Sequence, residues 1–424
     1  MKDSGIEWIG EIPDEWGIST LGKISSIVTG STPPKLDDNK YYAENGLKWV
    51  KPDNLNGLIP IHETKEYINQ NGYNMMIIVP PNTPLVCCIG SIGKVGYCDT
   101  FSSFNQQINA ILFNENIVPR YGLYCLISQE MQHWYYANGT VIKILNSTNQ
   151  KKIVIAVPPL AEQRKISSFL DKKCAEIDAV LEKTRESIEE YKKLKQAVIT
   201  EAVTKGVRGK REMKDSGVEW IGEIPKEWNI VRGKQVFCET CEYSETGTEE
   251  LLTVSHITGV TPRSQKNVNM FMAENLVGYK ICHKGDIAAN TMWMWQGAIG
   301  VSKQYGVISP SYNTYRQTNG SYVSEYLDYL LRIRPLIDVY SAYSTGITAS
   351  RLRLYPNQFL SLSFILPDID EQKEIADYLD KKTTEIDTLI AKKEVLLEEL
   401  DTYKKSLIYE YVTGKKRVSE TAHT

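Results

Sequence analysis

Two stretches of the chain repeat apolar residues mostly three and four positions apart. In the first the stripe runs through Ile166, Leu170, Ile177, Leu181, Ile188, Tyr191, Leu194, Val198 and Ala202. In the second it runs through Ile375, Leu379, Ile386, Ile390, Leu397, Leu400, Tyr403, Leu407 and Tyr411. Such spacing predicts two long amphipathic helices meeting along a coiled-coil seam. Pro158-Pro159 and Pro367 stand before them, and Gly206 and Gly414 end them. About 43 residues at 1.5 Å each make a rod of roughly 64 Å. Lys173 and Thr184, with Lys382 and Lys393, interrupt the two stripes at matching places. They read as side chains whose stems lie along the seam edge.

Elsewhere the pattern shortens. Leu47–Val50, Met76–Val79, Leu85–Ile89, Ile108–Phe113 and Ile153–Val157 read as strands, as do Leu251–Val254, Asp286–Ala289 and Leu360–Leu366. Gly, Pro and Asn separate them. Amphipathic helices are expected near Arg120–Tyr136 and Val323–Tyr340. The predicted class is α+β, with mixed helix and strand.

The pattern occurs twice. Met1–Trp16 (MKDSGIEWIGEIPDEW) returns as Met213–Trp228 (MKDSGVEWIGEIPKEW), an offset of 213 − 1 = 212. Pro158–Ile166 is answered by Pro367–Ile375, Leu170–Lys173 by Leu379–Lys382, and Glu176–Asp178 by Glu385–Asp387. These pairs are offset by 367 − 158 = 209, so the first half carries a net three extra residues between its shared ends. Each half has a near-identical opening, a divergent middle and a similar closing helix. Shared parts would hold the architecture while the middles do something different in each half.

Hydrophobic residues make up 42% of the 424 and charged residues 24%, as in an ordinary globular protein. No apolar run approaches the ~18 residues of a membrane helix, and the polar, acidic start is no signal peptide. Eight scattered Cys suggest reduced thiols and a cytoplasmic protein. A net charge of −3 gives nucleic-acid binding no support. The distribution of acids says more. Residues 67–98, 131–161, 287–324 and 339–367 contain no Asp or Glu, but are rich in Asn, Gln, Ser, Thr, Tyr and Trp, with Lys143, Lys151, Lys152, Lys303, Arg316, Arg351 and Arg353. Such side chains suit phosphates and base edges, which carboxylates would repel. Polar loops and buried strands lack acids too, so composition alone leaves both readings open.

Catalytic chemistry is thin. Pro52-Asp53 followed by Glu63-Thr64-Lys65 matches the short PD…ExK pattern in which two carboxylates hold Mg²⁺ and a Lys polarises the attacking water. The corresponding Thr253–Gly259 lacks the acids. Cys238-Glu239-Thr240-Cys241, with Cys282-His283, could supply four zinc ligands, but has no second well-spaced pair. Walker A, GxGxxG, GxSxG and HExxH signatures are missing, as is the Asn/Asp-Pro-Pro-Tyr/Phe signature of amino-methyltransferases, of which Ser309–Tyr312 is a faint echo. This favours a binding or scaffolding chain over an enzyme.

Taken together, Trp8–Pro13 with Trp16, Trp220–Pro225 with Trp228, the Pro-Pro-Leu-Ala-Glu-Gln-Arg-Lys-Ile run at 158–166 and its partner at 367–375 resemble a known family. Thr29–Pro33 and Trp49–Leu55 look like motifs of its first recognition domain. The family is that of the HsdS-like specificity (S) subunits of type I restriction–modification systems, and the matches span nearly the whole chain. The resemblance implies two target recognition domains, at 1–157 and 207–366. Two long antiparallel helices, at 158–206 and 367–414, would separate them as a coiled-coil spacer with a pseudo-two-fold internal repeat, and 415–424 would be a flexible tail. Each domain would read one half of an asymmetric bipartite sequence in double-stranded DNA. The helices would set the spacing and dock two modification (methyltransferase) subunits, which restriction subunits join for cleavage. The resemblance implies no cofactor on this chain; S-adenosylmethionine, ATP and Mg²⁺ would sit on the partners, and the assembled complex would be an adenine-DNA methyltransferase and ATP-dependent endonuclease.

For base reading the candidates are Ser91, Lys94, Asn105 and Gln107 in the first domain, and Asn290, Trp293, Gln296, Asn313 and Arg316 in the second. Ile166, Leu170, Ile177, Leu181 and Ile188, with Ile375, Leu379, Ile386, Ile390 and Leu397, are the expected spacer core. Two alternatives stand beside this reading: a metal-dependent nuclease using Asp53 and Glu63, and a coiled-coil scaffold without DNA binding.

Overall fold

A computed structural model describes residues 1–33, 38–140, 142–266, 275–346 and 352–418. The chain divides into two compact units: residues 1–184 with 395–424, and residues 185–394.

In the first unit β1 (Ser25–Thr29), β2 (Leu85–Cys87), β3 (Val95–Gly96) and β4 (Ile108–Phe113) form an antiparallel sheet in the order β1-β4-β2-β3. Helices α1 (Pro119–Ser128) and α2 (Glu130–Tyr135) follow, then the start of α3 (Leu160–Lys205). In the second unit β5 (Phe237–Thr240), β6 (Ile287–Ala289), β7 (Ile299–Val301) and β8 (Asn313–Gln317) repeat the arrangement as β5-β8-β6-β7. Helices α4 (Ser324–Leu331), α5 (Arg334–Tyr343) and the start of α6 (Ile369–Val412) come next. In both units the segment leading into the long helix pairs with a strand after the shared opening: Val154–Val157 with Gly17–Thr20, and Ser363–Leu366 with Asn229–Arg232.

Several local expectations need correction. Met76–Val79 is no strand; Val79 makes one isolated bridge to Ser102, and Pro80-Pro81 offer no N–H to extend it. The first part of Leu360–Leu366 closes the helix Pro356–Ser361. Each single middle helix is two, broken at Gln129 and again before Pro335, which lies in the first turn of α5. The tail was expected to be mobile, yet Lys415 Nζ donates to Glu11 O at 2.6 Å, Lys416 pairs with Glu410 and Arg417 with Glu15. Residues 419–424 lie outside the described residues, as does Arg351.

Each unit's main core is finished by the end of a long helix that began in the other unit. Leu407, Ile408 and Val412 of α6 join Trp16, Leu21, Tyr121 and Leu170 in the first. Ile199, Ala202 and Val203 of α3 join Trp228, Phe237, Tyr326 and Leu379 in the second. Inside the first unit the helices run antiparallel: Lys404 bonds Asp178 at 2.6 Å, and the Phe169 and Tyr411 rings lie 4.5 Å apart. Inside the second, Lys195 bonds Asp387 at 2.6 Å and Lys393 lies over the Tyr191 ring.

The buried seam steps by fours and threes. Ile166, Leu170, Cys174, Ile177, Leu181, Thr184 and Ile188 are buried on α3, and Ile375, Leu379, Thr383 and Ile386 on α6, whereas Ile390 and Leu397 are half-buried. Lys173 and Lys382 therefore stand one position off the seam, each paired to a Glu three residues on. Leu194 and Tyr403, also placed in the stripes, are exposed.

The shared residues fasten the helices to the units. Gln163 accepts from Val118 N and donates to Asn116 O and Pro158 O, while Gln372 accepts from Val323 N and donates to Ser321 O and Pro367 O. Trp16 Nε1 donates to Glu162 at 2.9 Å and Trp228 Nε1 to Glu371 at 2.8 Å. Tyr121 donates to Ala156 O and to Val412 O; in the second unit two tyrosines share that work, Tyr322 to Ile365 O and Tyr326 to Val203 O.

Glu371 is fully buried, with Arg211 ion-paired at 2.6 Å as well as the Trp228 bond. Glu371→Ala strips Trp228 Nε1 of its acceptor and Arg211 of its buried carboxylate, leaving Arg211 to Glu227 and Lys205 O, and should destabilise the second unit by about 3 kcal/mol in denaturant unfolding. Glu162→Ala, at a half-exposed position, should cost about 1 kcal/mol. Equal losses would contradict the stronger anchoring of the second joint. His133 is buried, with no partner for Nδ1 among the described residues, and burial pulls its pKa down from 6.5 to about 4. Above pH 6.5 folded and unfolded imidazoles are both neutral. As pH falls from 6.5 to about 4 the unfolded chain takes a proton that the folded one refuses, so stability is lost across that window. The loss should approach about 3 kcal/mol. The difference between wild type and His133→Gln in unfolding free energy against pH checks this; a flat difference from 7 to 4 contradicts it.

Candidate nucleic-acid interface

At one end of the first unit's sheet four segments meet. The β2–β3 hairpin loop presents Ser91 and Lys94, both exposed. Its inner side is set by Gly93 at φ +80°, where a Cβ would come 3.1 Å from His133 Cβ, so the left-handed turn and the close approach both favour glycine. Cys88 N donates to Gln107 O at 2.7 Å and Leu145 N to Cys88 O at 2.8 Å, tying this loop to the turn before β4 and to the segment after α2. Ile89 also bridges Ile144. The first two acid-free windows thus converge on one end of the sheet, with Lys143 exposed beside them over the Trp134 ring.

The fourth is Thr29–Pro33. Thr29 donates to Asn109 Oδ1 at 2.8 Å, Ser31 N to Phe104 O, and Thr32 Oγ1 meets Gln106 Oε1. Lys94 Nζ reaches Pro52 O at 3.0 Å, which brings in the Trp49–Leu55 motif.

The equivalent end of the second unit is built from Asn290–Ala298, the β6–β7 loop, and Ser309–Asn313. Asn290 Nδ2 donates to Tyr312 Oη at 2.9 Å and its Oδ1 accepts from Met292 N; Thr291 Oγ1 donates to Ser311 O. Gly297, at φ +88°, repeats the role of Gly93, here against Ile337 of α5.

The sequence candidates divide by exposure. Ser91, Lys94 and Trp293 face outward, and Gln107 and Gln296 are half-buried. Asn105, Asn290 and Asn313 are buried. Asn105 caps its own turn through Gln107, and Asn313 lies against Lys280 Nζ at 3.5 Å. Their amides shape loops rather than face solvent. Arg316 is held by Asp286 at 2.8 and 2.9 Å and by Glu242 at 2.8 Å, carboxylates from outside its acid-free window. Sequence reasoning missed the exposed Thr32 and Gln106; Thr32 lies inside a motif already singled out, and Gln106 carried no signal beyond its neighbours.

The other chemistries find no constellation. Asp53 and Glu63 are exposed, and no group of three or more His, Cys, Asp or Glu able to hold a metal ion occurs among the described residues. Cys238 and Cys241 are exposed, Cys282 is buried, and His283 Nε2 contacts Glu242 at 2.8 Å. No helix among the described residues is long and apolar enough to cross a membrane.

Residues 13–190 match the family described as the type I restriction modification DNA specificity domain. The MjaVIII specificity subunit of Methanocaldococcus jannaschii is 24% identical over 431 residues, covering 96% of this chain and 94% of that protein. The HindI specificity subunit of Haemophilus influenzae is 27% identical over 189 residues, 43% of this chain and 39% of that one. Among solved structures, a chain from work on complex assembly and conformational transition of the type I R-M system superposes with a TM-score of 0.72 at 16% identity, over 96% of this chain and 100% of that one. The HsdS subunit from Thermoanaerobacter tengcongensis gives 0.54, also at 16%, over 96% and 98%. Those two structures bear on the fold alone, and they agree with its mixed helix-and-strand build and two long helices. The chain is thus HsdS-like: residues 13–190 match the specificity-domain family, and relatives aligned over nearly its whole length are type I restriction enzyme specificity subunits.

Proposed function

We propose that the chain is the non-catalytic DNA-reading subunit of a type I restriction–modification complex. Each unit reads one half of a bipartite target with the loops at the end of its four-stranded sheet. One observation carries this reading: the same sheet occurs twice with the same strand order, and the loops at its end differ in length and side chains. A duplicated frame with divergent tips suits two unlike half-sites in one asymmetric sequence. Outward Ser91, Lys94, Gln106 and Thr32 in one unit, and Trp293 in the other, stand where carboxylates are sparse.

Two copies of a methyltransferase subunit dock on the long helices. Support comes from apolar side chains left exposed at repeat-equivalent positions: Leu160 and Ile369, Val180 and Leu389, Leu194 and Tyr403 are each 209 apart. In the first unit the Asp178–Lys404 register puts Val180 level with Tyr403 along the helix pair; in the second, Asp387–Lys195 puts Leu389 level with Leu194. Two like patches fit two copies of one protein. Restriction subunits join that assembly. S-adenosylmethionine, ATP and Mg²⁺ belong to the partners, which perform adenine methylation and ATP-dependent cleavage, and the complex works in the cytoplasm. A nuclease in this chain has no support among the described residues, where its two candidate carboxylates are exposed and join no group of three able to hold a metal ion.

On this reading the helices act as a ruler. Deleting residues 184–190 and 393–399, one heptad from each helix in register, removes roughly 10 Å of rise. Mapping methylated sites in cells carrying the variant with its partners should show both half-sites unchanged and the gap shortened by about three base pairs. An unchanged gap would count against the ruler, and loss of both half-sites at once against independent reading units.

A further inference from the structure

The β6–β7 loop carries an arrangement that its counterpart in the first unit lacks. Between paired strand residues Ala289 and Ile299 lie nine residues, against six between the equivalent Cys87 and Lys94, and the longer loop contains Trp293 and Trp295. It is rigidly held. Met294 is fully buried beneath it, Gly297 fixes its exit, Asn290 bonds Met292 N, and Trp295 Nε1 donates to Met292 O at 3.1 Å. On this base Trp293 is 48% exposed, its ring within 14° of parallel to that of Trp295 at 6.4 Å between centroids. The indole N–H of Trp293 has no hydrogen-bond partner among the described residues, unlike that of Trp295. A large flat side chain on a backbone held in this way stands half in water, with Trp295 on one side and much of its surface open to a partner.

We propose that Trp293 stacks on a nucleobase of the half-site read by the second unit, with Trp295 backing it. This rests on the DNA-reading function above and deepens it: the second unit uses an aromatic platform where the first uses Ser91 and Lys94. A base fits the face better than an acidic or apolar protein segment would. The loop belongs to an acid-free stretch, its neighbours Thr291, Gln296, Ser309 and Ser311 are polar, and it is continuous with the proposed DNA-facing end of the sheet. Stacking accepts any base, so Trp293 contributes affinity and a local distortion of the duplex, while identity is read by the polar groups around it.

The test uses the full chain assembled with its methyltransferase partner and a duplex bearing the mapped target. Photoreactive 5-iodopyrimidines replace the pyrimidines of each half-site in turn. Crosslinking should map to Trp293 from the second unit's half-site only, and disappear in Trp293→Ala. That variant should bind roughly 10- to 100-fold more weakly, and Trp293→Phe should recover most of the loss. Both should keep the wild-type unfolding midpoint and the first half-site. Wild-type binding by Trp293→Ala, or crosslinks mapping away from the loop, overturns the stacking role alone. Failure of the wild-type complex to bind the duplex overturns the DNA-reading function, and the proposal with it.

Discussion

Everything in this structure depends on one constraint: neither half of the chain can complete its own core. The first unit needs Leu407, Ile408 and Val412 from the last helix, and the second needs Ile199, Ala202 and Val203 from the central one. The antiparallel seam makes this exchange self-consistent. Asp178 meets Lys404 in one unit and Lys195 meets Asp387 in the other, and 178 + 209 = 387 while 195 + 209 = 404. The two ion pairs are thus one contact made twice. These partly exposed pairs add little stability, so burial of the apolar seam carries the association and the charges set its register.

The near-identity of the openings and the likeness of the closing helices follow from that duty. Trp16 and Trp228, Gln163 and Gln372, Glu162 and Glu371 do the same fastening in each unit. The sheet ends carry no such duty. Their loops can change length and chemistry while the strands beneath keep one order, which is how a duplicated frame comes to present a small polar tip in one unit and a paired-tryptophan tip in the other. Net charge hides this division of labour, because acids gather on the shared segments.

How far the sequence revealed this varied with the physics involved. The long helices were plain because a 3.6-residue period persists over many turns. The seam was misplaced by one position at Lys173, where Cys174 is buried, because a short polar step and a long charged stem look alike in a stripe. Short strands were found where both faces are buried, as at Ile108–Phe113, and overcalled at Met76–Val79, where two prolines deny further pairing. The two acid-free windows of the first unit meet at one end of its sheet, which composition alone left open. For Arg316 they misled, since distance along the chain says nothing about Asp286 and Glu242 arriving from elsewhere. Asn105, Asn290 and Asn313 had the side chains of base readers, but only burial could show that the backbone and neighbouring side chains already occupy them.

The central claim is that this chain, and no other part of the complex, chooses the DNA sequence. Comparing genome-wide adenine methylation in cells with and without the chain, all partners present, tests it directly. The account predicts one asymmetric motif, two unlike half-sites separated by a fixed gap, fully methylated with the chain and unmethylated without it. The same methylation pattern in its absence, or a motif whose halves are identical, would contradict it.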